Sequence, residues 1–328
     1  MDKKGSLISK IFYPKKNLTS LFKIQFKNLL LIIFLSLLIN SLGQKKVSVI
    51  VQGSGDQYFL GQYFYKDPTN VFVNGVGKCN GQKHCNFEEG LNNVTFEFND
   101  YINSCKLMFY PLLNVIEIDL SNLDTSRVDT MHFMFSGCFN LKKITFGNIN
   151  TNLVNDMFQM FFNCSQLKSI DLSNFETSSV TTFKEMFSHC ESLTSIDVSK
   201  FNTENAIIMY DMFGYCYELT SINVSNFVTS KVTDFQGMFY RVNKLKNIDV
   251  SNFDTSSATN MKSMFSELNS LETLNISPLL IKDGVEFDWI LGSAPDNLKI
   301  CWSELILISE GSFIIKLGIL FNLSINNS

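Results

Sequence analysis

The sequence predicts an α/β fold, a right-handed solenoid that carries parallel strands on one face and short helices on the other, with a small β-rich cap at its N-terminal end. Three observations lead to this prediction: a 26-residue repeat, a change of apolar spacing within each repeat, and a flanking segment that lacks the repeat. A repeat of this length is typical of stacked units, because one unit cannot bury its own apolar face.

A Met-Phe pair recurs every 26 residues without insertion or deletion. The pairs begin at Met108, Met134, Met160, Met186, Met212, Met238 and Met264. Four residues after each methionine stands an apolar residue, in order Leu112, Cys138, Cys164, Cys190, Cys216, Val242 and Leu268. The strict register indicates that equivalent residues of successive units lie side by side.

Each unit changes its apolar spacing partway along. Between Val154 and Cys164 the apolar residues are 3, 3, 1 and 3 positions apart, which predicts one buried face of a short helix. Ile170 and Leu172 are two positions apart, which predicts a strand. Residues 174–179 supply turn formers and N-cap hydroxyls before the next helix. Parallel strands joined by crossovers are expected to coil with a right hand.

The repeat also resembles a known family. The row Leu167, Ile170 and Leu172 has the spacing of a leucine-rich-repeat strand. The units SIDLSNFETSSVTTFKEMFSHCESL and NIDVSNFDTSSATNMKSMFSEL resemble those of BspA-type leucine-rich-repeat surface proteins, a repeat first noted in mycoplasma lipoproteins and bacterial surface proteins. The resemblance extends over about residues 93–277. It implies a leucine-rich-repeat fold and a surface location, and it carries over no catalytic residues.

The N-terminal segment predicts export. Seven lysines in the first 27 residues precede an apolar run at residues 29–39 and the small residues Ser41 and Gly43. This run is shorter than the roughly 20 residues of a spanning helix, so we expect a signal peptide over residues 1–43, with an uncleaved signal anchor as the alternative. Either reading places the remainder outside the cell or at its surface, and the membrane would be touched only through a retained N-terminal segment.

Three further segments follow. Residues 44–92 read as the β-rich N-terminal cap, residues 93–277 as the solenoid of about seven units, and residues 278–328 as a C-terminal cap and tail. The apolar but interrupted stretch 305–328 belongs to that cap, forms a membrane-touching tail, or is an artefact of the gene model. Beyond the basic segment the chain has 20 basic and 30 acidic residues, which argues against a nucleic-acid partner.

The cysteines fall into two groups. Cys138, Cys164, Cys190 and Cys216 replace leucine or valine in the repeat, so we interpret them as buried free thiols rather than a metal ladder. Cys79 and Cys85 lie in a polar, glycine-rich segment, where we predict a disulfide. His84 beside them makes too few ligands for a metal site. We therefore expect no metal and no cofactor.

The outward positions of the predicted strands form the candidate binding face. We call it the Asp/Ser stripe; it consists of Asp119, Ser121, Asp171, Ser173, Asp197, Ser199, Asn223, Asp249 and Ser251. Small hydroxylated residues of this kind either contact a protein or glycan partner or serve only as solvated spacers. Asn93, Asn163, Asn223 and Asn275 begin glycosylation sequons, and a glycan on Asn223 would cover the stripe.

The sequence indicates no catalytic site. The histidines His132 and His189 fall on variable positions expected to be solvated, and no nucleophile, metalloprotease or phosphate-binding motif occurs. We therefore expect a non-enzymatic surface or secreted protein that binds a protein or glycan, with a role in adhesion. The alternative is a structural coat or wall component that self-associates without a specific ligand.

Overall fold

The computed structural model of the protein describes residues 45–276 and 284–301. In these residues it contains strands, turns and bends but no helix. The strands are β1 (Lys45–Gln52), β2 (Gly55–Tyr58), β3 (Asn70–Val73), β4 (Val76–Gly77), β5 (His84–Phe87), β6 (Leu91–Glu97), β7 (Val115–Leu123), β8 (Lys143–Thr145), β9 (Asn247–Asp249), β10 (Thr273–Asn275) and β11 (Lys299–Cys301). The predicted signal segment and the tail 305–328 lie outside the described residues.

Strands β1 to β8, without β2 and β5, form one mixed sheet in the order β4-β3-β6-β1-β7-β8. β1 pairs antiparallel with both β6 and β7, whereas β7 and β8 are parallel. β1 and β6 alternate buried and more exposed residues, so that Val47, Val49, Val94 and Phe96 lie in the core. The sheet therefore runs without a break from the N-terminal strands into the first repeat units.

The repeat units form coils that stack on one another through parallel bridges. A ladder of single bridges joins Thr130, Asp156, Thr182, Ile208, Asp234, Asn260 and Glu286, and every step is 26 residues. At the C-terminal end, β9, β10 and β11 pair in parallel and form a second, three-stranded sheet. The repeat period thus equals the length of chain in one coil.

The predicted right-handed leucine-rich-repeat solenoid with helices on one face is wrong. In the segment predicted as helix, Gln159 and Asn163 have positive φ angles of 50° and 61°, which a right-handed helix excludes. Alternate amides donate their hydrogen bonds to the next coil. The Phe161 amide, for example, donates to the Met186 carbonyl. The apolar spacing of 3, 3, 1 and 3 is therefore produced by consecutive turns wrapped around a core.

Stacked phenylalanine rings fill the centre of the coils. The second residue of each Met-Phe pair contributes one ring, and neighbouring ring centroids are 5.3 to 5.8 Å apart with planes within 12° of parallel. The rings belong to Phe109, Phe135, Phe161, Phe187, Phe213, Phe239 and Phe265, all essentially inaccessible to solvent. Each of the five inner rings, from Phe135 to Phe239, is thus held between its equivalents in the coils before and after it.

A second ladder consists of buried threonines at the repeat position of Thr177. The Thr177 hydroxyl donates to the Asn202 carbonyl at 3.0 Å and accepts from the Asn202 amide at 2.8 Å. Thr125, Thr151, Thr203 and Thr229 make the same pair of bonds with the following coil. These hydroxyls satisfy backbone groups that would otherwise be unpaired where one coil passes the next.

We expect Thr177→Val to lower the free energy of unfolding by about 1–3 kcal/mol, because the Asn202 amide and carbonyl both lose their partner in a partly buried place. Urea unfolding measures this change. Thr181→Val is the matched control, since the Thr181 hydroxyl is exposed and bonds only one carbonyl. Equal losses in the two variants would contradict the assigned role of the threonine ladder.

Candidate binding surface

The Asp/Ser stripe is exposed, and its acidic and amide side chains bond to their own backbone. Asp171 accepts a hydrogen bond from the Ser173 amide at 3.0 Å, and Asp197 accepts one from the Ser199 amide at 2.9 Å. Asp119, Asn223 and Asp249 make the same contact with Ser121, Ser225 and Ser251. Such bonds stabilise the turn that follows each of these residues.

These bonds also affect ionisation. Hydrogen bonds from the serine hydroxyl and amide lower the pKa of Asp171 and of Asp197, and the serine hydroxyl does the same for Asp249. The pattern Asp-x-Ser therefore has a structural reason that needs no ligand. Its role as a binding face stays a prediction.

A different surface brings aromatic side chains together across the coils. Its first row begins at Tyr63, before the repeat, and continues through Tyr110, Phe133 and Phe158, with successive ring centroids 6.3, 5.7 and 5.0 Å apart. Tyr63 is 61% exposed, and the other three rings are partly exposed. The row ends at the Lys184 ammonium, which lies over Phe158 at 5.5 Å and over Tyr210 at 4.7 Å.

A second row lies on later coils. His189 stacks on Tyr215 with ring centroids 4.0 Å apart, and its other neighbour is Phe162 at 5.5 Å. Tyr215 meets Tyr240 edge-on at 5.1 Å, and the Arg241 guanidinium lies over both tyrosine rings. We call the two rows the aromatic band, which comprises Tyr63, Tyr110, Phe133, Phe158, Phe162, Lys184, His189, Tyr210, Tyr215, Tyr240 and Arg241.

The Glu267 carboxylate holds two polar members of the band, Tyr240 and Arg241, in place. Glu267 accepts two hydrogen bonds from Arg241, at 2.7 and 3.2 Å, and one from the Tyr240 hydroxyl. Hydrogen bonding to Arg241 lowers the pKa of Glu267. This bidentate arrangement fixes the guanidinium plane against the tyrosine rings.

The two coil histidines are not freely solvated, contrary to expectation. His132 lies between Phe133 and Phe158, and its Nδ1 is 2.8 Å from a carboxylate oxygen of Asp156. Burial lowers the pKa of His189 and so disfavours the charged imidazolium. Both imidazoles pack as members or neighbours of the aromatic band.

The cysteines adopt both of the predicted states. Cys79 and Cys85 form a disulfide with Cα atoms 5.7 Å apart, and Cys138, Cys164, Cys190 and Cys216 are buried free thiols. Each of these thiols donates to a backbone carbonyl of an adjacent coil, and burial raises the pKa of Cys138 and Cys190 to about 12. No group of three or more metal-binding side chains occurs within 45–276 and 284–301.

The sequon asparagines differ in accessibility. Asn93 and Asn223 are exposed, whereas Asn163 and Asn275 are partly buried. The Asn223 side chain is already bonded to the Ser225 amide, and Asn163 adopts a positive φ beside the second aromatic row. Glycosylation at any of them stays a prediction.

Sequence reasoning missed the aromatic band because it assigned these positions to the outside of a helix. Every band residue from the coils lies within three positions of a repeated methionine, as Phe158 does before Met160 and Tyr215 does after Met212. Those positions vary from unit to unit, while the positions around them are strictly apolar. Aromatic and charged residues at the variable positions were the signal that could have identified the band.

Comparison with known proteins places the coils in a family. Residues 103–222 and 216–284 match the family described as "Mycoplasma protein of unknown function, DUF285". The chain belongs to the DUF285 family. The matched residues cover more than half of this DUF285 protein and include the coils, whereas strands β1 to β6 precede them. No curated protein and no solved structure matches the chain.

Within residues 45–276 and 284–301, this DUF285 protein has no helix that could cross a membrane. The resemblance of the repeat to one found in mycoplasma proteins agrees with the family description. That description does not name BspA-type proteins.

Proposed function

We propose that this DUF285 protein is an exported, non-enzymatic binding protein, secreted or held at the cell surface, and that it contacts a protein or glycan partner through the aromatic band. We also propose that the chain is related to BspA-type surface proteins, although its described coils lack the helices that this relationship implies. The observation that carries the proposal is the alignment of partly exposed aromatic rings and two cations across successive coils.

The residue types of the band favour binding. Tyrosine and arginine are enriched where partners bury each other's surface, because a tyrosine ring offers a large contact area and loses little conformational entropy. Tyr215 and Tyr240 are already positioned by their contacts with His189 and Arg241, which lowers the cost of ordering them on binding. Stacked repeats also present an extended surface to a partner.

The Asp/Ser stripe is a weaker candidate. Its carboxylates are engaged with the backbone amides two residues later. The described stripe positions contain no aromatic side chain on which a sugar or a peptide could pack. The Asp/Ser stripe is therefore the control surface in the binding experiment.

We expect the double variant Tyr215→Ala/Tyr240→Ala to bind its partner at least roughly tenfold more weakly than the wild type, since central aromatic residues dominate interface energies. The probe is a panel of purified glycans and purified extracellular proteins fixed to beads, to which the full-length chain is added. Asp171→Ala/Asp197→Ala is the control and should bind within about twofold of the wild type. Urea unfolding of all three proteins checks that they are folded.

The reverse result, with binding lost in the stripe variant and kept in the band variant, would contradict the proposal. Failure of the folded wild type to bind any member of the panel would also count against it and would favour the self-associating coat component.

A further inference from the structure

Asp211 occupies an unusual place beside the aromatic band. Its backbone has a positive φ of 47°, and its carboxylate lies against the Cα atoms of two glycines. A Cβ atom added to Gly237 would come within 1.8 Å of Asp211 Oδ1, and one added to Gly214 within 3.2 Å. The carboxyl group thus fills the space that a side chain at Gly237 would occupy, and it would closely contact one at Gly214.

The groups that face Asp211 are mostly acidic. The preceding coil contributes Lys184 and Glu185, and the Glu185 amide donates to the Tyr210 carbonyl at 2.7 Å. The following coil contributes Asp234, whose carbonyl accepts from the Met209 amide at 2.9 Å. Lys184 lies 3.8 Å from Glu185 and over the Tyr210 ring, so its charge is shared with groups other than Asp211.

Burial first, and then the Asp211 charge, raise the pKa of two tyrosines of the same coil, Tyr210 and Tyr215. Burial first, and then repulsion from Glu185 and Asp234, raise the pKa of Asp211 to about 7. Burial also raises the pKa of Asp234, although its bond from the Gln236 amide opposes this.

We propose that Asp211 controls the aromatic band through its proton: the packed arrangement against Gly214 and Gly237 requires the neutral carboxyl, and ionisation drives the side chain outward beside Tyr210 and Tyr215. The consequence for binding rests on the proposed function of the band. The consequence for stability does not depend on any ligand.

The sign of the pH dependence follows from the direction of the shift. The folded chain keeps the Asp211 proton in a range where the unfolded chain, with a pKa near 3.8, has released it. The neutral Asp211 carboxyl therefore stabilises the folded chain fully below about pH 3.8, and this stabilisation is lost as the pH rises through about 7. His189 has the opposite effect on the pH dependence of stability, because burial lowers its pKa. His189 is therefore left unchanged in every variant that is compared.

The test compares the wild type with Asp211→Asn, whose amide resembles the neutral carboxyl. Gln159 and Ser263 stand at the same repeat position in other coils, so the fold accepts an uncharged residue there. Urea unfolding from about pH 5.5 to about pH 8.5 should show the wild-type unfolding constant rising by up to about tenfold per pH unit relative to Asp211→Asn, and levelling off above about pH 7. Asp129→Asn, at an exposed carboxylate, should follow the wild type.

Parallel pH profiles for the wild type and Asp211→Asn would overturn the inference. Should Asp211→Asn fail to fold, Asp211→Ser, which copies the residue of another coil, takes its place with the same expected result. Bead binding at the same pH values separates the two proposals. The unfolding profiles decide the role of the Asp211 proton even if no bead binds, whereas a pH-dependent stability with binding that does not change with pH would overturn control of the band.

Discussion

Phe161→Ala is expected to lower the free energy of unfolding by about 3–5 kcal/mol, because it removes a fully buried ring and leaves a cavity between two stacked neighbours. The rings of Phe135 and Phe187 lie 5.3 and 5.4 Å from that of Phe161, and both lose their contact with it. Urea unfolding followed by far-ultraviolet circular dichroism measures the loss.

Phe139→Ala is the matched control, since the Phe139 side chain is 39% exposed and lies outside the ring stack. Its removal should cost less than about 1 kcal/mol. A loss below about 1 kcal/mol for Phe161→Ala would show that the ring stack does not form the core of the coils.

Gly61→Ala is expected to destabilise the fold by about 3 kcal/mol, because the added methyl group has no room. A Cβ atom at Gly61 would lie 2.2 Å from the Leu107 carbonyl oxygen and 2.9 Å from that of Met108. Both are backbone atoms of the first coil, so they cannot move aside as a flexible side chain could. The Gly61 amide also donates to the Met108 carbonyl at 2.7 Å, and this bond would be distorted.

Gly77→Ala provides the comparison. Gly77 has no positive φ, and nothing lies within 4 Å of the position of an added Cβ atom. Its unfolding free energy should stay within about 1 kcal/mol of the wild type. If Gly61→Ala were equally mild, the close packing between the segment after β2 and the first coil would be contradicted.

The sequence period predicts which residues meet, but it does not predict their backbone conformation. Residues 26 positions apart are adjacent in the bridges and in the phenylalanine stack, as the register implies. The helix was wrongly predicted because positions 3 and 4 residues apart face one way both in a helix and in a series of tight turns around a core. Positive φ angles at ordinary residues such as Gln159 and Asn163 leave no mark in the sequence.

Thr177 illustrates a similar limit. Its position in the repeat groups it with the apolar residues, and the structure does bury it. The sequence could not reveal that its hydroxyl bonds both the amide and the carbonyl of Asn202, because those groups belong to the next coil. Contacts between coils depend on the direction of each backbone group, which becomes visible only in three dimensions.

The candidate site was even harder to predict. Asp171 and Ser173 were selected because they alternate with apolar residues, yet the Asp171 side chain bonds the Ser173 amide and has a local structural role. The aromatic band combines residues from different repeat positions, such as Phe158 and Phe162 on either side of a Met-Phe pair. Only the turns that replace the predicted helix show which of these side chains are neighbours.

Site-specific photo-crosslinking tests the central claim, partner binding through the aromatic band, most directly. A photoreactive phenylalanine analogue replaces Tyr215 in one variant and Ser173 in another, so that each surface carries one probe on an otherwise intact chain. With the bead-bound partner that the wild type retains, we predict crosslinks from position 215 and none from position 173. Crosslinks from position 173 alone would contradict the claim and assign binding to the Asp/Ser stripe.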